Sequence, residues 1–363
     1  MLYPRHRQEI KGERYDKMQE KIKKMTGARA VLILLSVVML FAAFPVAGSA
    51  KDAGDMKLCP GGMAFGVRLY TKGVLVVGIS EVKSGGRCVK PAKDAGIKTK
   101  DVILTADGKE TDSVKDLSDA IADSGGSGIK LTLSRDGREM SVTLTPVKGD
   151  DGRYQAGLWL RDTTAGIGTV TFIDPDTGEF GGLGHGICDI DTGELMPLKR
   201  GTAMSVAIGG IVKGKSGKPG EIKGYLLPGK SGSISVNSDR GVFGAFTGMP
   251  DALPDPLPVG TRNDVTEGKA QLICTLGDDG AVYYDIEISK IDRDGRDNRN
   301  FVVKVTDRRL KERAGGIIQG MSGSPIIQNG RLVGAVTHVM VSDPAVGYGI
   351  FIENMLDAMS EGK

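Results

Sequence analysis

Histidine is the scarcest ionisable residue in this 363-residue chain: there are three, His6, His185 and His338. Any reaction that needs an imidazole base is confined to them. Cysteine is almost as rare. Cys59, Cys88, Cys188 and Cys274 are scattered with no C-x-x-C pair, which excludes a zinc knuckle and implies no disulfide framework. Aromatic residues make up 5% of the chain, and no basic stripe with interleaved aromatics marks a nucleic-acid surface. No glycine pattern for phosphate or dinucleotide binding falls between a strand and a helix. No cofactor and no metal are therefore expected. Internal repeats and low-complexity runs are missing, and from residue 155 onward no long helical period appears before residues 351–359.

Glycine, at 54 residues, is about twice its usual share. A sequence with so many turn-formers favours short strands. Charge is distributed unevenly. Nine lysines and arginines lie between Arg5 and Arg29, whereas residues 30–50 carry no charge. About 20 uncharged residues can span a bilayer, and a basic flank stays in the cytoplasm. Residues 1–29 are thus expected to form a cytoplasmic tail that holds His6, and residues 30–50 a transmembrane helix. Residues 51–60 would be a linker, with everything beyond them extracytoplasmic. A cleaved signal peptide is the competing reading, since Gly48-Ser-Ala50 is a small-residue string of the kind cut there.

Residues 61–147 form one expected unit. Residues 74–79 are a β-branched apolar strand, and 91–96 a helical turn closed by glycine. Asp107-Gly108 and Asp136-Gly137 are hairpin turns. Ser113 caps a helix in which Val114, Leu117 and Ile121 share a face. This order, with Asp94-Ala-Gly-Ile97 followed by Lys100-Asp-Val-Ile103, resembles a bacterial PDZ domain, an α+β fold. The resemblance implies a peptide added as a strand beside the helix at residues 114–122. It also implies that Phe65, Gly66 and Val67 form the loop that holds a peptide carboxylate.

Residues 155–359 are strand-rich and punctuated by glycine, as a β-barrel domain would be. The sharpest motif there is Gly320-Met-Ser-Gly-Ser-Pro325. A serine hydroxyl becomes a nucleophile when a base takes its proton and backbone N–H groups receive the oxyanion. Ser322 is the expected nucleophile, with Gly320 and Ser322 supplying the donors. For the base, His185 in a Gly-rich turn is favoured over His338 in a strand. Asp189, Asp285 and Asp307 all lie between His185 and Ser322, and the residues alone do not choose among them as an acid.

Gly181–Gly193, Val305-Thr-Asp307, residues 316–330 and Gly334-Ala-Val-Thr-His338, together with the order anchor, PDZ, peptidase, resemble stage IV sporulation protein B. That family comprises the PDZ-containing serine peptidases of endospore-forming bacteria. The resemblance implies a mainly β protein with a chymotrypsin-like peptidase domain, His185 as base, Asp307 as acid and Ser322 as nucleophile. It implies self-cleavage near the anchor and cleavage of a regulatory membrane protein in the forespore intermembrane space. That cut would release an intramembrane protease and lead to activation of a late sigma factor. His338, on the strand after the nucleophile, is expected in the specificity pocket if it is not a hydrogen-bonded structural residue. A non-catalytic PDZ adaptor is the rival reading, and the Gly320–Pro325 motif argues against it.

Overall fold

The computed structural model describes residues 56–250 and 253–362. The expected tail and anchor lie outside the described residues. Among those described, no helix is long and apolar enough to cross a membrane.

Two long strands organise the first half. A short strand β1 (Lys57–Pro60) leads into β2 (Ala64–Ile79). Then follow α1 (Pro91–Asp94), β3 (Val102–Ala106), α2 (Val114–Asp123), β4 (Ile129–Arg135) and β5 (Arg138–Leu144). The return is through β6 (Leu158–Ile173), which pairs with β2 from Leu158 opposite Ile79 to Thr169 opposite Ala64. The helix α2 forms for local reasons. Ser113 accepts from Asp116 N while the Asp116 side chain accepts from Ser113 N, a closed capping box. The β4–β5 hairpin turns at Asp136-Gly137, both at positive φ, as the sequence leads one to expect. Leu117 and Ile121 of α2 pack with Val76, Ile103, Leu131 and Leu133 in a core of their own.

Beyond β6 come β7 (Glu179–Gly182), β8 (Leu198–Met204), a hairpin of β9 (Val206–Val212) and β10 (Glu221–Leu226), then β11 (Gly232–Ser238) and β12 (Gly241–Phe246). The pairings run β2–β6–β7–β12–β11–β8 and back to β2, a ring of six antiparallel strands. Closure gives every strand of the ring a neighbour on each side, although β6 meets β7 only through its last residues. A second closed barrel follows: β13 (Gly268–Thr275), β14 (Ala281–Ser289), β15 (Phe301–Val305), β16 (Pro325–Gln328), β17 (Arg331–Met340) and β18 (Asp343–Phe351). Helix α3 (Arg308–Ala314) precedes the Ser322 loop, and α4 (Ile352–Glu361) follows β18.

The α+β unit is therefore nested inside the first barrel, between two of its strands, β2 and β6. This corrects two expectations. Residues 57–60, placed in a linker, are a strand paired with β6 at Phe172 and Ile173. Phe65, Gly66 and Val67, expected as a carboxylate-binding loop, lie within β2. They pair with Gly168, Ile167 and Gly166 on one side, and Gly66 and Val67 pair with Met204 and Ala203 on the other. With both edges used in ladders, their N–H groups have no freedom to cradle a peptide end. Phe65 and Val67 are buried in the first barrel's core.

Candidate active site

Each barrel delivers one of the two expected groups. His185 lies three residues beyond the end of β7, in the connection between β7 and β8 of the first barrel. Ser322 lies in the loop before β16 of the second. Both line one cleft of about 960 Å3, together with His338, Thr337, Gly320 and residues 164–167 of β6.

The Ser322 loop is fastened to the first barrel by side chains that no sequence motif marks. Thr169 N donates to Ser322 O at 2.9 Å, and Thr169 Oγ1 to Gly320 O at 2.8 Å. Thr171 Oγ1 donates to Gly323 O at 2.8 Å. A Cβ at Gly323 would stand 2.0 Å from Thr169 O and 2.4 Å from Leu183 N, so only glycine fits there. Gly320 has φ +97°. On its other side the loop is paired to the β9–β10 hairpin through Gln319 N to Gly220 O and Ile222 N to Gln319 O, both 2.8 Å. With the carbonyls held outward, the N–H groups of Gly320 and Ser322 have no acceptor among the described residues. Two unused donors flanking a serine can receive an oxyanion.

His185 Nδ1 stands 2.8 Å from the carbonyl oxygen of Gly186. A carbonyl only accepts, so Nδ1 carries the hydrogen and Nε2 is left as the basic nitrogen. Burial depresses the His185 pKa, and the Gly186 contact opposes that shift. The Ser322 hydroxyl donates to Thr337 O at 2.8 Å, so in this resting arrangement it is turned to the backbone and not to His185. A rotation about χ1 is needed to redirect it.

His338 sits on β17 with its ring centroid 5.1 Å from that of His185. Its Nδ1 is buried and has no hydrogen-bond partner among the described residues. Burial first, then the His185 and Arg299 charges, push its pKa down to about 4. A hydrogen-bonded structural histidine is thus not what the strand holds at that nitrogen.

Asp307 is not brought to the histidine. It is the N-cap of α3: its carboxylate accepts from Arg309 N at 2.7 Å and Leu310 N at 3.4 Å, from the Arg309 guanidinium at 2.7 Å, and from Asp285 N at 3.3 Å. The Arg309 bond, reinforced by these N–H groups, holds its pKa at about 2 in spite of burial. Asp307 does not line the cleft; the expectation of a carboxylate at the far imidazole nitrogen gives way to the Gly186 carbonyl. Of the other acids considered, Asp189 lines the cleft but is bound to Thr192, Asp191 N and Arg161. Asp285 accepts a hydrogen bond from Gln271.

Comparison with known proteins gives this arrangement a context. The model of the SpoIVB peptidase S55 family matches residues 152–356, and that of the PDZ domain matches residues 61–145. No curated protein matches the sequence. Among solved structures, the active form of the Rv3671c protease from M. tuberculosis is similar at 17% identity, covering 54% of this chain and 74% of that one, with a TM-score of 0.33. Its inactive form gives 15% identity, 54% and 83% coverage, and a TM-score of 0.30. The PDZ domain of an SdrC-like protein from Listeria monocytogenes is 22% identical, covering 24% of this chain and 87% of that one, with a TM-score of 0.20. The family match spans more than half of the sequence and includes both His185 and Ser322, so the chain belongs to the SpoIVB peptidase S55 family and is a serine peptidase carrying a PDZ domain.

Proposed function

We propose that Ser322 is the nucleophile of this peptidase and His185 its general base, working without a carboxylate on the imidazole. The observation that carries the reading is the pairing, in one cleft, of an imidazole with a fixed tautomer and a serine flanked by two unused N–H donors. In the reaction, the Ser322 hydroxyl turns from Thr337 O and gives its proton to His185 Nε2 as Oγ attacks the scissile carbonyl carbon. The carbonyl oxygen becomes an oxyanion facing Gly320 N and Ser322 N. Collapse breaks the C–N bond, and His185 returns the proton to the leaving amine. Water, deprotonated by His185, then hydrolyses the acyl-enzyme. The Gly186 carbonyl keeps the imidazole in the productive tautomer. His338, beside His185, shapes the pocket for a side chain such as Glu or Gln.

For the substrate, the family name and the charge pattern of the N-terminus support the following reading. A protein tethered by residues 30–50 would act outside the cytoplasmic membrane on a regulatory membrane protein and on its own residues between 51 and the strand that starts at Lys57. The cut would relieve inhibition of an intramembrane protease during sporulation. A fluorophosphonate tests the chemistry directly: mass spectrometry of the labelled full-length protein should place the adduct on Ser322. Labelling that persists at full rate in Ser322→Ala would sink the assignment. Mass spectrometry of the membrane-expressed protein should show a cut before Lys57 that Ser322→Ala lacks.

A further inference from the structure

Residues 164–167 reach the cleft on β6, a strand of 16 residues. One edge of β6 is covered by β2 from Leu158 to Thr169. The other is covered only at its far end, where Val170, Phe172 and Ile173 pair with β7. Between Leu158 and Gly168 this second edge has no strand partner among the described residues. Alternate backbone N–H and C=O groups there are left unpaired, a template for another strand. Proteins ordinarily blunt such an edge by shortness, proline or charge. This one is long and contains no proline; its ladder to β2 shifts register between Trp159 and Leu160 and again around Asp162. Its charges are confined to Arg161, which is paired with Asp189 and Asp191, and Asp162, and it exposes Trp159, Thr163, Ala165 and Gly166.

The two halves of that edge belong to two binding sites. Along the N-terminal half lies α2, whose first N–H, at Val114, donates to Asp162 Oδ2 at 2.8 Å. Leu158 and Leu160 pack against the core that holds Leu117 and Ile121. A strand edge beside a helix is where a PDZ domain adds a peptide as an extra strand. Along the C-terminal half, Thr164 to Ile167 line the cleft of His185 and Ser322, and Thr169 is bonded to the Ser322 loop itself.

We infer that the free edge of β6 is one continuous rail for an extended polypeptide substrate, which pairs with it antiparallel so that the bond cut at Ser322 lies at one end and the substrate residues on the carboxyl side of that bond lie in the PDZ groove. The inference rests on the peptidase reading of the cleft. Polarity follows from the strand. Every ladder β6 makes is antiparallel, the pairing that is also slightly more stable per residue. Since β6 runs from groove to cleft, an antiparallel guest runs from cleft to groove. Leu158 and Ile167 are nine positions apart, a span of about 30 Å at the rise of a strand. A substrate that engages both sites thus needs roughly nine or ten residues after the cut.

The test uses the full-length protein and a sequence that it cleaves, selected from a random peptide library. The amino side is held constant while the carboxyl side grows from about three to about fourteen residues. KM should fall by at least about tenfold, the equivalent of two net backbone hydrogen bonds, and level off near ten residues, with kcat little changed. N-methylation of alternate amides in the added stretch should restore the short-peptide KM. With Ser322→Ala as a trap, the long peptide should slow amide exchange throughout residues 158–167 and the short one only at residues 164–167. A KM indifferent to carboxyl-side length, one that responds to the amino side instead, or no protection at residues 158–162 overturns the rail. If no library peptide is cut and Ser322 takes no fluorophosphonate, the peptidase reading falls instead; cutting without length dependence removes the rail alone.

Discussion

The two barrels close with the same number of strands but are joined up in different ways. In the second, β13, β14 and β15 pair in sequence, as do β16, β17 and β18, and only α3 and the Ser322 loop intervene. In the first, β2 and β6 are neighbours although an entire α+β domain separates them in sequence. The nucleophile is therefore carried by a self-contained body. The histidine is carried by one whose wall continues into a peptide-binding domain. The strand β6 runs on from that domain to its pairing with β7, three residues before His185, whereas the Ser322 loop meets the first half of the molecule through Thr169, Thr171 and Gly323 and through the pairing of Gln319 with Gly220 and Ile222.

The largest test asks whether the two bodies contribute one catalytic unit. Ser322→Ala and His185→Ala should each lower kcat by about 10^6, and the double variant by no more, because groups acting in concert are not additive. Steady-state kinetics on a common peptide measures this. Additive losses would mean that the barrels act separately.

Next comes the seam between them. Gly323→Ala would force a Cβ into Thr169 O and Leu183 N, and at a φ of +94° it adds backbone strain. A loss of about 3 kcal/mol or more is expected in urea denaturation. A change within about 0.5 kcal/mol, the usual range of a surface substitution, would show that the barrels part freely at this point.

A smaller effect separates cap from catalyst within the second barrel. Asp307→Ala should cost about 1–2 kcal/mol as an N-cap, with kcat/KM changed only a few-fold where the variant is folded. A loss near 10^4 with stability unchanged would restore Asp307 as the acid on His185. The sign with pH is fixed by its pKa of about 2, below the ordinary value of about 3.9. Its contribution is complete above roughly pH 4 and fades as pH falls through about 2. In Asp307→Ala that part of the acid destabilisation should disappear.

The smallest effect is a shift. A base must be neutral to work, and burial lowers the His185 pKa. The acid limb of kcat/KM should therefore lie below the ordinary histidine value of about 6.5. A limb above it would mean that a carboxylate approaches the imidazole during catalysis.

What is legible in the sequence divides into the local and the long-range. The G-x-S-G-x-P string, the capping box at Ser113 and the Asp-Gly hairpins are short, and each is complete within a few residues, so periodicity and turn chemistry find them. The preference for His185 over His338 rests on a Gly-rich turn, and both line the cleft. The nesting is not legible because a strand shared by two cores looks the same as two strands in a row. Residues 65–67 and 74–79 read as parts of one domain, yet Gly73 at φ +79° is only a kink in β2. Asp307 misleads for a different reason. A spacing of residues inherited from relatives says nothing of an N-cap, although Asp followed by Arg308-Arg309 and an apolar Leu310 is a helix start that capping rules recognise. Thr169 and Thr171 carry no motif at all; their role exists only once β6 lies against the Ser322 loop.

The nesting also sets an order of assembly. Pairing β2 with β6 in an unstructured polypeptide would mean closing a loop of about 80 residues, an entropic term on the order of 4 kcal/mol before any contact forms. Once residues 74–161 have collapsed around Val76, Leu117 and Leu131, the two strand ends emerge side by side at Leu75 and Arg161, and that term has vanished. The inserted domain then acts as a clasp that lets the first barrel zip from its waist outward, and synthesis from the N-terminus delivers the clasp complete before the last strand of either barrel is made. A lesion deep in the PDZ core, far from the cleft and touching no peptide, would on this view slow the acquisition of activity while leaving the specific activity of molecules that do mature unchanged.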